Sequence, residues 1–249
     1  MTLKAILFDV DGTLADTERD GHRIAFNQTF EAFGLDWHWD VELYGRLLAV
    51  TGGKERIRHY VDQFDKEKPS NFDELVSEIH REKTRRYGEI LESGKIPMRP
   101  GIERILKEAM ARNLKLAIVT TTTPENVTTL LKCSLSPDSE KWFDVIAAGD
   151  IVPAKKPAPD IYHWAMERLG LNPESCMAVE DSENGFRASR SAGVKALITV
   201  TDYTKDQDFE GAAAILSDLG EPGSPFSVLK GEAHGKTHAD IDLFERWHA

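Results

Sequence analysis

Two aspartates at the end of an apolar run are the residues in this chain best suited to chemistry. Residues 6–14 read Ile-Leu-Phe-Asp-Val-Asp-Gly-Thr-Leu, so a buried-strand pattern ends in Asp9 and Asp11. In an extended segment the two carboxylates point to the same side, because strand side chains alternate with period two. One carboxylate could then attack a substrate and hold a cation while the other moves a proton. The alternative is a strand that runs into an Asx-type turn at Gly12.

Three further polar groups are spread along the second half of the chain. Four threonines, residues 120–123, directly follow a predicted strand, and Lys156 precedes a predicted helix. Glu180 and Asp181 follow another predicted strand. Taken singly, such groups are typical of helix caps and turns. Together in one α/β domain they indicate a ligand site, because ligands bind at the carboxyl ends of the strands.

The acids and the lysine have complementary roles if the substrate is a phosphate ester. Asp9 would be the nucleophile and would form an aspartyl-phosphate, which splits one difficult step into two. Asp11 would protonate the leaving alkoxide and then take a proton from the attacking water. Lys156 would neutralise charge on the phosphoryl group and on Asp9.

The remaining groups would bind the substrate and a metal. The Thr120 hydroxyl and nearby backbone N–H groups would hydrogen-bond a transferring oxygen, and Thr121 and Thr122 are further candidate substrate contacts. Asp181 would complete a site for Mg²⁺, a hard cation that prefers oxygen ligands.

The chain divides into a helical segment and a segment in which helices and strands alternate. Residues 16–92 contain no convincing strand pattern; the helices predicted there are residues 19–33, 43–50, 55–64 and 72–91. The later segment predicts helices at residues 102–111, 124–133, 158–169, 184–192 and 241–247, and strands at residues 114–119, 143–147, 177–179 and 196–200. Such alternation indicates a parallel sheet with right-handed crossovers. We therefore predict a doubly wound, Rossmann-like α/β core, residues 1–15 and 97–249, with a helical cap domain, residues 16–96, inserted after the first strand.

Composition and charge exclude several classes of function. The chain has 249 residues and a net charge of −11, which argues against a nucleic-acid partner, because binding to the phosphate backbone needs clustered positive charge. No apolar run is long enough to cross a bilayer, and no signal peptide fits ahead of the first strand. We expect a cytoplasmic protein, and a monomer, whose partner is a small molecule rather than a nucleic acid or a membrane. Cys133 and Cys176 are predicted to be buried, reduced thiols.

The insert contains one pattern that could bind an anion. Residues 51–56 read Thr-Gly-Gly-Lys-Glu-Arg; Gly52 and Gly53 permit close approach to the backbone, and Lys54 and Arg56 follow at a predicted helix N-terminus, which favours anions. The alternative is a glycine-rich turn with solvated basic residues. If the pattern binds an anion, the substrate carries a second anionic group remote from the scissile phosphate.

The order of these motifs resembles the haloacid dehalogenase superfamily of phosphotransferases, with a helical cap between the first two motifs. The resemblance extends to about residue 219 and implies the catalytic roles given above. It also implies Mg²⁺ bound by the Asp9 carboxylate, the Asp11 carbonyl and Asp181, with Glu180 in support. The presence of Asp11 argues for phosphoryl transfer, since the true dehalogenases lack the second aspartate.

Within this superfamily the cap is similar to that of the CbbY proteins, phosphatases associated with the Calvin cycle that remove a phosphate from xylulose-1,5-bisphosphate. The similarity rests on Asp-Val-Asp-Gly-Thr-Leu-Ala from Asp9, Arg-Ile-Ala-Phe-Asn from Arg23, Thr-Gly-Gly-Lys-Glu-Arg-Ile from Thr51 and Ala-Ala-Gly-Asp from Ala147. The similarity implies that Glu18, Tyr44 and Arg56 contact the substrate. It also implies that the cap faces the active-site cleft and selects the substrate. Residues 18–22 are one residue longer than the pattern.

We therefore expect a Mg²⁺-dependent sugar-phosphate phosphatase that acts on xylulose-1,5-bisphosphate or a similar ketose bisphosphate. Three alternatives stay open. The same parts could make a β-phosphoglucomutase-type isomerase, and Lys54 could form a Schiff base in a phosphonoacetaldehyde hydrolase. A regulator that binds a sugar phosphate without chemistry would have lost a motif residue, and none is missing.

Overall fold

The computed structural model describes residues 2–50, 52–64 and 68–249; the candidate residue Thr51 lies outside the described residues. The chain forms two compact units. The core unit comprises Met1–Asp16 and Pro97–Ala249, and the insert unit comprises Thr17–Ile96. In the described part of the chain, no helix combines the length and the apolar character needed to cross a membrane.

The core unit contains a predominantly parallel sheet. Among the described residues its strands are β1 Ala5–Phe8, β2 Lys115–Val119, β3 Val145–Ala147, β4 Cys176–Glu180, β5 Lys195–Thr199, β6 Ala214–Leu216 and β7 Val228–Lys230. Their order is β3-β2-β1-β4-β5-β6-β7, and only the last pair is antiparallel. The predicted α/β fold with a parallel sheet is thereby confirmed. The sequence prediction missed β6 and β7, which have three residues each, too few for a clear period-two pattern.

Helices connect these strands and build the insert unit. In chain order, the α-helices of the described residues are α1 Arg23–Ala32, α2 Val41–Leu47, α3 Gly53–Gln63, α4 Phe72–Glu92, α5 Ile102–Ala111, α6 Pro124–Ser134, α7 Asp160–Leu169, α8 Glu183–Ser191 and α9 Ile241–His248. Short 3₁₀-helices span Ser139–Trp142 and Pro173–Ser175. Each predicted helix and strand has a counterpart, with small differences at the ends.

Helices cover both faces of the sheet, which explains why its strands read as continuous apolar runs. On one face α7 and α8 pack in a cluster with alternate strand residues such as Leu7, Ala117 and Ala178. The intervening residues, among them Ile6 and Met177, are equally buried and point to the other face, on which α5 and α9 contact β2 and β4. Cys176 belongs to this core, as predicted, but Cys133 is exposed, because it lies near the end of α6 and off its buried side.

The central position of β1 determines where the candidate acids lie. Phe8 is opposite Ile118 of β2 and Val179 of β4, and all three strands are parallel. The chain therefore leaves β1, β2 and β4 at the same edge of the sheet. The residues that follow these strands, among them Asp9 and Asp181, are brought together at that edge.

The insert unit begins with a turn that differs from the predicted helix 19–33. Glu18–His22 form a π-helix, and α1 follows directly. A π-helical turn holds one residue more than an α-helical turn, and such turns occur often at functional sites. Glu18, one of the candidate substrate contacts, is the first residue of this turn.

Aromatic side chains form the core of the insert unit. Phe26 and Phe30 of α1 pack on Trp39, with ring centroids 4.7 and 4.8 Å away. The Asn27 side chain fixes the backbone of this tryptophan: its Nδ2 donates to the Trp39 carbonyl and its Oδ1 accepts from the Trp39 N–H, both at 2.8 Å. Arg23 donates to the same carbonyl at 3.4 Å.

We predict that Asn27→Ala destabilises the protein by about 1–3 kcal/mol, because it leaves two backbone groups of a buried residue without these partners. Urea denaturation followed by tryptophan fluorescence measures the change. The control is Gln28→Ala, an exposed neighbour on the same helix, which should stay within about 0.5 kcal/mol of the parent. Equal free energies of unfolding for the two variants would contradict the prediction.

Candidate active site

Lys156 joins two acids at the carboxyl edge of the sheet. Its Nζ lies 2.7 Å from Asp9 Oδ1 and 2.6 Å from Glu180 Oε1. The side chains of Lys156, Asp9 and Glu180 are 7, 11 and 0% exposed, so the pairs are buried. Tyr162 of α7 donates a hydrogen bond to the same Glu180 oxygen. The structure therefore brings together Asp9, Lys156 and Glu180, which are far apart in the sequence.

Glu180 and Asp181 make this region strongly acidic. Oxygen atoms of Asp9, Glu180 and Asp181 all lie within 4.8 Å of one another. Burial, followed by the charges of Asp9 and Glu180, raises the pKa of Asp181 well above its ordinary value. Burial also raises the pKa of Glu180 to about 7, with Lys156 acting against the shift. The charges of Lys156 and, for Asp181, of Arg99 oppose these shifts. Burial and mutual repulsion outweigh them, so the three carboxylates as a group favour additional positive charge.

The lysine and the tyrosine keep the protons that their hydrogen bonds need. Burial by itself lowers the pKa of Lys156, but the charges of Asp9 and Glu180 outweigh burial and raise that pKa above its ordinary value. Burial and then the Glu180 charge raise the pKa of Tyr162 well above its ordinary value. At neutral pH Lys156 is therefore a cation, and Tyr162 remains a hydroxyl donor.

The donor set fits a hard divalent cation. All three acids offer carboxylate oxygens, the ligands that Mg²⁺ prefers, and Oε2 of Glu180 is buried with no hydrogen-bond partner among the described residues. The backbone at Gly12 lies very close to the Asp181 side chain. Gly12 has φ +85°, and a Cβ there would overlap the Asp181 carboxylate. Asp9 and Asp181 would hold the ion, while Glu180 Oε1 is engaged by Lys156 and Tyr162.

The threonines after β2 approach the second aspartate. The Thr122 hydroxyl donates to Asp11 Oδ2, and the Thr122 N–H donates to Thr120 Oγ1 at 3.2 Å. Thr120 is buried, Thr122 is half-buried and Thr121 is exposed. The structure therefore links Asp11 to the threonine run through Thr122, a contact that sequence reasoning did not predict.

In the insert unit, three predicted substrate contacts form one chain of hydrogen bonds. Arg56 Nη1 donates to the Tyr44 hydroxyl at 3.0 Å, and that hydroxyl donates to Glu18 Oε2 at 2.6 Å. Arg56 is buried and also donates to the carbonyls of Leu47 and Val50 at 3.2 and 3.4 Å. The burial of Arg56 argues against the alternative that residues 52–56 form a glycine-rich turn with solvated basic side chains.

Lys83 and His22 form a buried hydrogen-bonded pair in the insert unit. Lys83 is buried, and its Nζ lies 2.7 Å from Nδ1 of His22, whose ring stacks on Tyr87 with centroids 3.7 Å apart. Burial, then the charges of Lys83 and Arg56, lowers the pKa of His22 well below its ordinary value. The neutral imidazole therefore accepts a hydrogen bond from the ammonium. Lys54 is half-buried at the start of α3.

The glycine pair at the start of α3 has close neighbours. A Cβ at Gly52 would overlap the Glu55 carboxylate, and a Cβ at Gly53 would lie 2.8 Å from the His80 ring. Gly52 also has φ +96°, a left-handed backbone conformation that favours glycine. The backbone conformation therefore favours glycine at Gly52, whereas a side chain at Gly53 would displace the His80 ring.

Sequence reasoning missed Lys83, although a signal for it was present. It follows Val76 and Ile79 and precedes Tyr87 at helical spacing, and all four side chains are buried. A lysine in the apolar stripe of a helix is uncommon and indicates a special role. Tyr162 had no such signal, because a tyrosine on a buried helix face is ordinary.

A family model of the haloacid dehalogenase-like hydrolases matches residues 3–193. The chain belongs to this family. Among curated relatives it is similar to protein CbbY of Cupriavidus necator, with 45% identity over 99% of this chain and 97% of the relative. It is also similar to the CBBY-like protein of Arabidopsis thaliana, with 40% identity over 88% of this chain and 70% of the relative.

Solved structures agree with this family assignment. CbbY from Rhodobacter sphaeroides in complex with phosphate has a TM-score of 0.75 and 44% identity, over 89% of this chain and 97% of that chain. A mutant of the same protein in complex with xylulose-(1,5)bisphosphate matches equally well. The chain is a CbbY-like phosphatase of the haloacid dehalogenase-like family, as its motifs predicted. These similarities support a sugar-phosphate phosphatase.

We predict that Asp181→Asn raises the Tm of the metal-free phosphatase. The pKa of Asp181 is higher in the folded chain than its ordinary value, so its ionised form destabilises the fold at neutral pH, above the range in which a free aspartate titrates. Removing that charge should raise Tm by about 2–4 °C, the equivalent of ~1 kcal/mol in a protein of this size. Scanning calorimetry in excess EDTA at pH 7 measures the change.

Asp138→Asn is the matched control. The hydrogen bond from Lys141 lowers the pKa of this exposed carboxyl, so its ionised form does not destabilise the fold, and its removal should leave Tm unchanged or lower it. A fall in Tm for Asp181→Asn would show that repulsion among the buried carboxylates is not the dominant effect there.

Proposed function

We propose that this protein is a Mg²⁺-dependent phosphatase that removes one phosphate from a ketose bisphosphate, with xylulose-1,5-bisphosphate as the first candidate. The observation that carries the proposal is the buried bridge from Lys156 to Asp9 and Glu180, next to Asp181. A carboxylate bonded to an ammonium group in this way is held in one orientation, and the ammonium charge offsets the negative charge of an approaching phosphoryl group, which suits Asp9 for attack on phosphorus.

The proposed reaction has two steps. Asp9 attacks phosphorus, the bond from phosphorus to the sugar oxygen breaks, and Asp11 gives that oxygen a proton. Water then attacks the aspartyl-phosphate, Asp11 takes the proton of the water, and inorganic phosphate leaves with Asp9 restored. The Thr122 hydroxyl holds Asp11, and Lys156 offsets negative charge on the phosphoryl group. Asp9, the Asp11 carbonyl and Asp181 would hold Mg²⁺, which would supply positive charge and so reduce repulsion between the nucleophile and its substrate.

The insert unit supports a bisphosphate as substrate. Arg56 and Lys83 are buried cations there, and the pKa of His22 is lowered partly by their charges. A buried cationic cluster attracts an anion more strongly than a solvated one, because the local dielectric is low. A bisphosphate offers a second phosphate to such a cluster, and the related Rhodobacter protein was crystallised with xylulose-(1,5)bisphosphate. We assign the second phosphate to this cluster together with Lys54.

A β-phosphoglucomutase is the second candidate. A putative β-phosphoglucomutase of Thermotoga maritima has a TM-score of 0.67 and 29% identity to this chain. A mutase must pass its phosphoryl group to a sugar hydroxyl faster than to water. Incubation with β-glucose-1-phosphate separates the two reactions, since a mutase yields glucose-6-phosphate and little free phosphate.

We predict that Asp9→Asn abolishes phosphate release, because an amide cannot form the acyl-phosphate. Phosphate release is measured over pentose and hexose mono- and bisphosphates with Mg²⁺, and EDTA should stop turnover until Mg²⁺ is restored. Circular dichroism and Tm establish that the variant is folded. Turnover of Asp9→Asn near the parent rate would refute the proposal, and equal rates on mono- and bisphosphates would remove the preference for a bisphosphate.

We predict that Lys54→Met raises KM for the bisphosphate by about 10-fold, the loss of ~1.4 kcal/mol of binding, and leaves KM for a monophosphate unchanged. Lys54 is half-buried at the start of α3, whereas Lys95 is exposed and lies after α4, one residue before the end of the insert unit in the sequence. Lys95→Met is therefore the control and should leave both KM values unchanged. A parallel rise in KM for both substrates with Lys54→Met would rule out contact with the second phosphate.

A further inference from the structure

Arg99 is a half-buried residue whose guanidinium group binds the backbone of several segments. It donates to the Gly12 carbonyl, to the carbonyls of Thr199 and Val200 at 2.8 and 2.7 Å, and to the Ser217 carbonyl at 2.5 Å. The Gly12 carbonyl lies in the loop after β1, those of Thr199 and Val200 lie at the end of β5, and that of Ser217 directly follows β6. One side chain therefore connects three segments at the carboxyl edge of the sheet. The catalytic roles assigned above do not involve Arg99.

The chemistry of arginine suits this contact. A guanidinium group is planar and carries five N–H donors in a rigid fork, whereas a lysine ammonium is a compact charge on a flexible stem. Arg99 Nη1 also lies 3.2 Å from the Thr199 hydroxyl oxygen, and its backbone N–H donates to the Leu14 carbonyl at 2.8 Å. The loop after β1 is thus held at two positions by one residue.

The loop that Arg99 holds packs directly on a candidate metal ligand. Gly12 lies next to the Asp181 carboxylate, and a Cβ at Gly12 would overlap Asp181. Gly12 follows Asp11 directly, and Asp9 is three residues earlier. A displacement of the Gly12 peptide would therefore change the separation of Asp9 and Asp11 from Asp181.

We propose that Arg99 is a positioning residue that holds the loop from Asp9 to Gly12 against Asp181 by binding the Gly12 carbonyl. Arg99 thereby fixes the spacing between the nucleophile, the acid/base residue and the acid from β4. This inference rests on the proposed function, because the spacing matters only if these carboxylates act together on a phosphate ester and a cation.

Arg104 provides a matched control in the same unit. Its guanidinium also binds backbone carbonyls, those of Gly220 at 2.6 Å and of Leu219 at 3.4 Å, and it pairs with Glu221 at 3.0 Å. It donates to the Ala239 carbonyl as well. These partners belong to the segment after β6, and none of them is in the loop after β1. Arg104 is therefore a comparable clamp on a part of the chain that carries no candidate catalytic residue.

The test compares Arg99→Lys with Arg104→Lys in the full chain. Tm is measured for each, Mg²⁺ affinity by titration calorimetry, and kcat and KM on the preferred phosphate ester. We expect Arg99→Lys to lower kcat about 10²-fold with little change in KM, because a small misplacement of reacting groups costs about that much. It should also weaken Mg²⁺ binding about 10-fold, the loss of ~1.4 kcal/mol. Arg104→Lys should lower Tm and leave kcat, KM and Mg²⁺ affinity near the parent values.

Thr199→Val keeps the test decisive if Arg99→Lys does not fold. It removes one oxygen near Arg99 at nearly constant volume, and it should lower kcat about 5-fold without raising KM, through a smaller displacement of the same loop. The proposal is overturned if Arg99→Lys, or Thr199→Val in its place, retains the parent kcat and Mg²⁺ affinity. It is also overturned if Arg104→Lys loses kcat to the same extent as Arg99→Lys.

The calorimetric measurement separates this inference from the proposed function. If the parent releases no phosphate from any ester, the proposed function fails, and weaker Mg²⁺ binding by Arg99→Lys still supports the positioning role. If the parent binds no Mg²⁺, both proposals are refuted.

Discussion

Repulsion between buried carboxylates is the constraint on which the core unit depends. Three acids have oxygens within 4.8 Å of one another, in surroundings that strengthen every charge interaction. Lys156 bonds to two of them, and a tyrosine hydroxyl gives one a further hydrogen bond. The repulsion that remains favours the binding of a cation at this edge of the sheet, which the proposed function requires. Stability is lower here than packing alone would allow, as is common at functional sites.

The strand pattern in the sequence predicted where the acids lie. It did not predict the residues that hold them in place, because those residues are far away in the sequence. Asp9 and the Glu180–Asp181 pair follow runs typical of buried parallel strands, and the carboxyl ends of parallel strands lie at one edge of a sheet. Tyr162 and Arg99 carry no such local signal. Arg99 binds carbonyls 87 to 118 residues away, and no periodicity in the sequence reports contacts of that span. The π-helical turn at Glu18–His22 escaped prediction because helical spacing does not distinguish an α turn from a wider one.

The insert unit shows how an apolar core can carry charge. Its aromatic residues surround Trp39, and the buried cations Arg56 and Lys83 lie over the rings of Tyr44 and Phe26 at 5.2 and 5.0 Å. Aromatic faces attract cations, and so offset part of the cost of removing these charges from water. The neutral ring of His22 accepts from Lys83 without adding a positive charge. Cations held in this way would lose little side-chain entropy on binding the second phosphate of the proposed substrate.

The two linkers that join the insert to the core run side by side. Ala15 and Met98 form an antiparallel bridge within the core unit, so the chain departs from the sheet and returns to it at nearly the same point. With this arrangement, the order and register of the strands do not depend on the length or sequence of the insert between the two linkers. An insert of a different length or sequence could therefore join the same two linkers without any change in the strands that position the candidate catalytic acids.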